Sequence, residues 1–130
     1  MATIGAEYSI KRINDPKTKK NFHLQFWDIA GDERFANMCK LYVRGSHMCL
    51  VVTDSITCSK KLSRTQQWRD IIESYSEELQ LNKPGFLLVV SKKDITKNEL
   101  SFDEIKRLKQ TMKFDDVIEV SALSSDGMNE

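Results

Sequence analysis

Several classes of protein are set aside by what this sequence has little of. Its three cysteines, Cys39, Cys49 and Cys58, are odd in number and show no C-x-x-C spacing, and neither His23 nor His47 stands near one at metal-ligand spacing. That argues against a disulfide framework or a zinc site and for reduced thiols in a cytosol. No apolar run approaches the ~20 residues of a membrane span, and the opening MATIGAEYS has neither the basic nor the apolar region of a secretory leader. The expectation is a cytoplasmic protein, neither secreted nor integral to a membrane. Charge of one sign is missing as well: 20 basic residues face 19 acidic ones, net +1, so no global field favours nucleic acid or an anionic surface. Glycine is scarce, and none of the five stands in the G-x-x-x-x-G-K-[ST] spacing that cradles phosphates.

What is present is an ordinary globular balance, 40% hydrophobic and 30% charged over 130 residues, which predicts a single domain spanning 1–130 with one core. Tyr8–Ile13 and Phe22–Asp28 alternate in character around Asn14-Asp15-Pro16-Lys17, the pattern of two strands joined by a breaker-rich turn, hence an antiparallel hairpin. MCLVVT (Met48–Thr53), FLLVV (Phe86–Val90) and, more weakly, Val117–Val120 are short continuous apolar runs, as expected of parallel strands covered on both faces. Leu62–Leu79 carries Trp68, Ile71, Ile72, Tyr75 and Leu79 at helical spacing, and Leu100–Met112 carries Ile105, Leu108 and Met112 behind the candidate caps Ser101 and Asp103. Strands alternating with helices predict an α/β layer fold.

In such folds chemistry gathers in the loops beyond the carboxyl ends of the strands. There the sequence places Asp28-Ile29-Ala30-Gly31-Asp32-Glu33-Arg34-Phe35, Asp54-Ser55, Ser91-Lys92-Lys93-Asp94 and Ser121-Ala122-Leu123. An acid ending a strand beside a glycine suits a hydrated magnesium ion and a phosphate at close backbone approach. A carboxylate in the Ser-Lys-Lys-Asp loop suits the two N–H donors of guanine, with the Lys92 stem lying across the ring. Taken singly, the first pattern is a weak signal whose alternative is a plain turn, and the second is more often a solvated loop.

Taken in order, the segments resemble the Ras superfamily over nearly the whole chain. Thr3-Ile4-Gly5 resembles its first switch, WDIAGDERF (Trp27–Phe35) its second, SKKD its N-K-x-D base loop and VSAL its S-A-K loop. IGAEY, the WD-x-AG-x-ERF form and LYVRG (Leu41–Gly45) resemble the Rab branch in particular. The resemblance implies a partial small-GTPase, P-loop NTPase-like three-layer α/β fold with a mixed sheet, missing the first strand, first helix and last helix. It implies GTP or GDP and Mg2+ as cofactors of the complete domain. Thr3 and Asp28 would serve the metal. Gly31 would meet the γ-phosphate, and Ser91, Lys92, Asp94, Ser121, Ala122 and Leu123 would surround the base. Tyr8, Trp27 and Tyr42 match the aromatic triad that Rabs present to effectors, and the last two are expected to lie close together. Partners by resemblance are effectors, an exchange factor and an activating protein, without nucleic acid. Membrane attachment would require a lipidated tail.

Two departures carry consequences. Asp32 stands where the family usually has the glutamine that orients the attacking water, so hydrolysis is expected to be slow. Ser91 replaces the asparagine that ties the base loop to the phosphate loop, so nucleotide affinity is expected to fall. With the phosphate loop absent from these residues, a fragment or splice form is expected, and a break in pairing between the strands at Phe22–Asp28 and Met48–Asp54. The function implied is a Rab-like GTP/GDP switch in vesicle trafficking. The alternatives are a pseudo-GTPase or effector-interaction module that works without nucleotide, and a nonfunctional truncated product.

Overall fold

The computed structural model describes residues 4–56, 62–78, 82–95 and 100–128. In chain order it contains β1 (Ala6–Asn14), β2 (Asn21–Ile29), α1 (Ala36–Val43), β3 (Met48–Asp54), α2 (Leu62–Glu78), β4 (Gly85–Ser91), α3 (Phe102–Met112) and β5 (Asp116–Glu119). The α/β class expected from the sequence is present. Its strands fall into two sheets, an antiparallel pair β1-β2 and a parallel sheet in the order β3-β4-β5. The chain divides into two compact units, residues 1–42 and 43–130.

In the first unit β1 and β2 pair along their full length, from Ala6 opposite Ile29 to Asn14 opposite Asn21. The turn between them is built by Asp15. Its backbone exchanges hydrogen bonds with Lys19 and Lys20, while its carboxylate accepts from the Lys17 amide (2.9 Å) and the Thr18 hydroxyl (2.6 Å). An aspartate side chain that replaces a backbone acceptor in this way fixes the turn. Helix α1 was not expected from the sequence. Cys39 and Val43, four residues apart, are its buried positions, a short stripe inside a segment dominated by motif resemblance.

In the second unit the core is Val51, Phe86, Leu88, Val90, Leu108, Met112, Phe114 and Val117, with Trp68, Ile72 and Ile105 packed against it. Each such side chain contributes ~1.5–3 kcal/mol on burial. Every second residue of β4 enters this core, Phe86, Leu88 and Val90. The expectation that these strands would be covered on both faces needs correcting. Leu50 is 48% and Val52 63% exposed, on the face opposite Val51. The reason is that α2 and α3 both contribute to the single cluster on one face of the sheet.

The buried stripe of α2 also differs from expectation. Thr65, Arg69 and Ser76 are buried, whereas Ile71 and Tyr75 are only partly so. Arg69, 4% exposed, is tolerated because every side of it is engaged. Its guanidinium meets Glu73 at 2.6 Å, donates to the Lys113 carbonyl at 3.2 Å and lies 4.8 Å from the centre of the Phe86 ring. A buried charge persists only when paired and hydrogen-bonded in this manner. Helix α3 begins at Ser101, whose hydroxyl accepts from the Glu104 amide while the Glu104 carboxylate accepts from the Ser101 amide, a reciprocal capping box that settles the choice between Ser101 and Asp103.

Candidate functional site

Within the second unit the ends of β4 and β5 bring two of the sequence-marked loops together. Beyond Ser91 the chain turns through Lys92, whose φ of 58° is left-handed, into a short 3-10 turn at Lys93–Ile95. The Lys93 amide donates to the Val120 carbonyl at 3.1 Å, clasping this loop to the end of β5. The buried Ser121 then donates its hydroxyl to Asp94 Oδ1 at 2.5 Å, while Ser121 Oγ accepts from the Ser124 amide at 3.1 Å. Asp94 itself is exposed, so one carboxylate oxygen is oriented from below and the group as a whole faces solvent. The Ala122 amide donates to no protein acceptor among the described residues. An oriented acceptor beside an available backbone donor suits a planar ring that presents paired N–H groups and a carbonyl, as guanine does.

Residues that the sequence left without a role complete this arrangement. Ser55, buried at the end of β3, donates to the Lys92 carbonyl at 2.9 Å and holds the left-handed turn. Lys93 Nζ meets Asp126 at 3.0 Å, and the Ser121 amide donates to the Asp126 carbonyl at 2.9 Å. Gly127 follows with φ of 70°, and a Cβ there would stand 2.2 Å from the Glu119 carbonyl oxygen, so no other residue fits without moving β5. Serine and glycine are too common in loops for the sequence to single these out. Ser91 donates its hydroxyl to the Thr53 carbonyl at 3.0 Å, tying the loop to the neighbouring strand. Leu123 and Lys92 are exposed.

The first unit carries the other marked residues. Asp28 lies near the end of β2, directly opposite Glu7, and Gly31 is open, with nothing within 4 Å of a Cβ added there. Among the described residues no three His, Cys, Asp or Glu side chains gather to hold a metal ion. For magnesium, which keeps several waters and takes one or two carboxylates together with phosphate oxygens, Asp28 alone is a compatible protein ligand. Thr3 lies outside the described residues. Asp32 is paired with Arg34, whose Nε donates to Oδ1 at 3.0 Å and whose terminal nitrogen donates to Oδ2 at 2.7 Å. The same hydrogen bonds raise the pKa of the Arg34 guanidinium still further.

Tyr8, Trp27 and Tyr42 form a continuous stack. Tyr8 and Trp27 are cross-strand partners with ring centres 4.5 Å apart, and Tyr42 on α1 lies 4.8 Å from Trp27, both contacts tilted by a little under 40°. Such spacing is the favoured range for aromatic pairs. Tyr8 and Trp27 remain about half exposed, so the stack offers its outer face to solvent.

The comparisons with known proteins agree with the motif order. Residues 1–130 match the family model of the Ras family. Ras-related protein RabC of Dictyostelium discoideum is 30% identical over 129 residues, which cover 98% of this chain and 63% of that protein. Ras-related protein Rab-7L1 of Rattus norvegicus is 29% identical over 129 residues, 99% of this chain and 62% of that protein. GTP-binding protein YPTM2 of Zea mays is 37% identical over 101 residues, 77% of this chain and 46% of that protein. The chain belongs to the Ras family. It spans a little under two thirds of the length of the first two relatives.

Proposed function

We propose that this chain forms one domain carrying the switch and base-recognition parts of a GTP/GDP-binding molecular switch that serves vesicle trafficking on the cytosolic side of endomembranes. The observation that carries the reading is the Asp94 carboxylate oriented by the buried Ser121 hydroxyl across the ends of two parallel strands. In this reading Asp94 accepts from the guanine N–H groups, the Lys92 stem covers the ring and the Ala122 amide meets the guanine carbonyl, with Ser91 and Leu123 flanking. Asp28 and Thr3 serve Mg2+, which would neutralise phosphate charge when bound, and Gly31 gives the γ-phosphate close access to the backbone. Asp32, paired with Arg34 and unable when ionised to donate to a phosphate oxygen, makes hydrolysis slow. Effectors, an exchange factor and an activating protein are the corresponding partners.

Titration with fluorescent GDP and ADP tests this reading. Asp94→Asn turns one acceptor into a donor facing guanine's donors and is expected to weaken GDP binding by about 1–3 kcal/mol, the usual worth of a bidentate base contact, while ADP stays weak throughout. Equal affinity of wild type and variant for GDP would remove Asp94 from the site.

A second reading, an effector-interaction module working without nucleotide, is favoured by one observation, the half-exposed Tyr8–Trp27–Tyr42 stack. Absence of any GDP binding, together with partner binding abolished by Trp27→Ala, would select it.

A further inference from the structure

The net charge of +1 conceals a strong segregation of charge. Of the 20 basic and 19 acidic residues, five and one lie between Lys11 and His23, so the rest of the chain is net negative. The five are Lys11, Arg12, Lys17, Lys19 and Lys20, all exposed on the end of the β1-β2 hairpin and its turn. The one acid, Asp15, stays ionised, its carboxyl held below the usual carboxylate range by the Thr18 hydroxyl and the Lys17 amide, so five cations against this one anion leave the tip a net charge of +4. None of the five cations makes an ion pair among the described residues. Beside them the cross-strand pair Ile13 and Phe22 is 39% and 46% exposed. A tip that combines unneutralised lysines with exposed apolar side chains matches the surface of an anionic bilayer, where headgroups meet the cations and the acyl boundary receives the apolar groups.

We propose that the hairpin tip, residues 11–23, is a contact site for anionic lipid membranes, independent of nucleotide and of any lipid anchor. The remainder of the chain, with 15 basic against 18 acidic residues, has no such excess of positive charge, so the tip is the part that meets the bilayer. Nucleic acid would satisfy the charges but gives the Ile13–Phe22 pair no comparable place, which makes it the less favoured partner.

The test is co-sedimentation of the full 130-residue chain with vesicles of phosphatidylcholine alone and of phosphatidylcholine containing phosphatidylserine. Binding is expected only to the second, weakening steeply as salt rises toward physiological strength. Because each lysine near such a surface contributes about a fivefold factor, the triple variant Lys17→Gln, Lys19→Asn, Lys20→Gln should lose on the order of a hundredfold in partitioning. Asparagine is chosen at 19 because the native φ is 54°. A matched triple variant on α3, Lys106→Gln, Arg107→Gln, Lys109→Gln, should lose little, since acids are interleaved there. Slowed amide exchange at residues 14–21 of the wild type on the anionic vesicles provides a second readout. Equal binding to both vesicles, equal loss in the two triple variants, unchanged exchange at the tip, or tighter binding to single-stranded RNA relieved by the same tip substitutions would each overturn the proposal.

Discussion

Asp32 shows how a single side chain acquires a neighbour that the motif alone does not disclose. On the proposed reading Asp32 stands where a water-orienting glutamine is usual, and its carboxylate is held by Arg34 two residues on. The pair is in contact with solvent, where ion pairs are worth little, so it steers Asp32 more than it stabilises the chain. Replacing Asp32 by glutamine supplies a donor for a phosphate oxygen and a carbonyl for the water while releasing Arg34. In a longer form of the protein that carries a phosphate loop, Asp32→Gln is expected to raise single-turnover GTP hydrolysis by at least ~10-fold, given that one such donor is commonly worth more. Equal rates in the two forms would show that Asp32 has no catalytic consequence.

At the scale of the element, helix α2 is anchored by Arg69 and its partners as well as by Trp68 and Ile72 against the core. Hydrogen bonding from Arg69, and then from Lys83, lowers the pKa of Glu73 from its usual 4.5 to about 2. A carboxylate whose folded pKa is depressed stabilises the fold fully above its unfolded pKa, and the contribution fades as pH falls from about 4.5 toward 2. Glu73→Gln, which leaves the buried guanidinium with weaker partners, should therefore cost ~2 kcal/mol at neutral pH. The gap between wild type and variant in thermal or denaturant unfolding should close as pH approaches 2. A gap that persists undiminished in acid would mean that packing, not charge, is what the substitution removed.

For the whole molecule the uncovered face of the parallel sheet has the largest consequence. Among the described residues β3 is an edge strand of the parallel sheet, and Met48, Leu50 and Val52 on it are exposed. An edge of this kind with an apolar face is a site of strand addition and association. Val52→Lys is expected to reduce self-association, read by light scattering against concentration, while changing stability by no more than about 0.5 kcal/mol. Scattering equal to that of the wild type would place the association elsewhere.

The sequence by itself determined the elements whose signals are local. Period-two alternation around Asn14-Asp15-Pro16 specified the hairpin, apolar runs specified three parallel strands to within a residue or two, and the candidate caps Ser101 and Asp103 bracketed the start of α3, between which the structure chose Ser101. The motif order specified the family, because spacing along a chain is itself sequence information. The tertiary structure alone decided what depends on residues distant in the chain. Ser121 reaches Asp94 across 27 positions, Ser55 reaches Lys92 across 37, and Arg69 reaches Lys113 across 44. It also decided that the parallel strands are buried on one face. Continuous apolar runs look the same whether one face is covered or two, and only the placement of the helices distinguishes them.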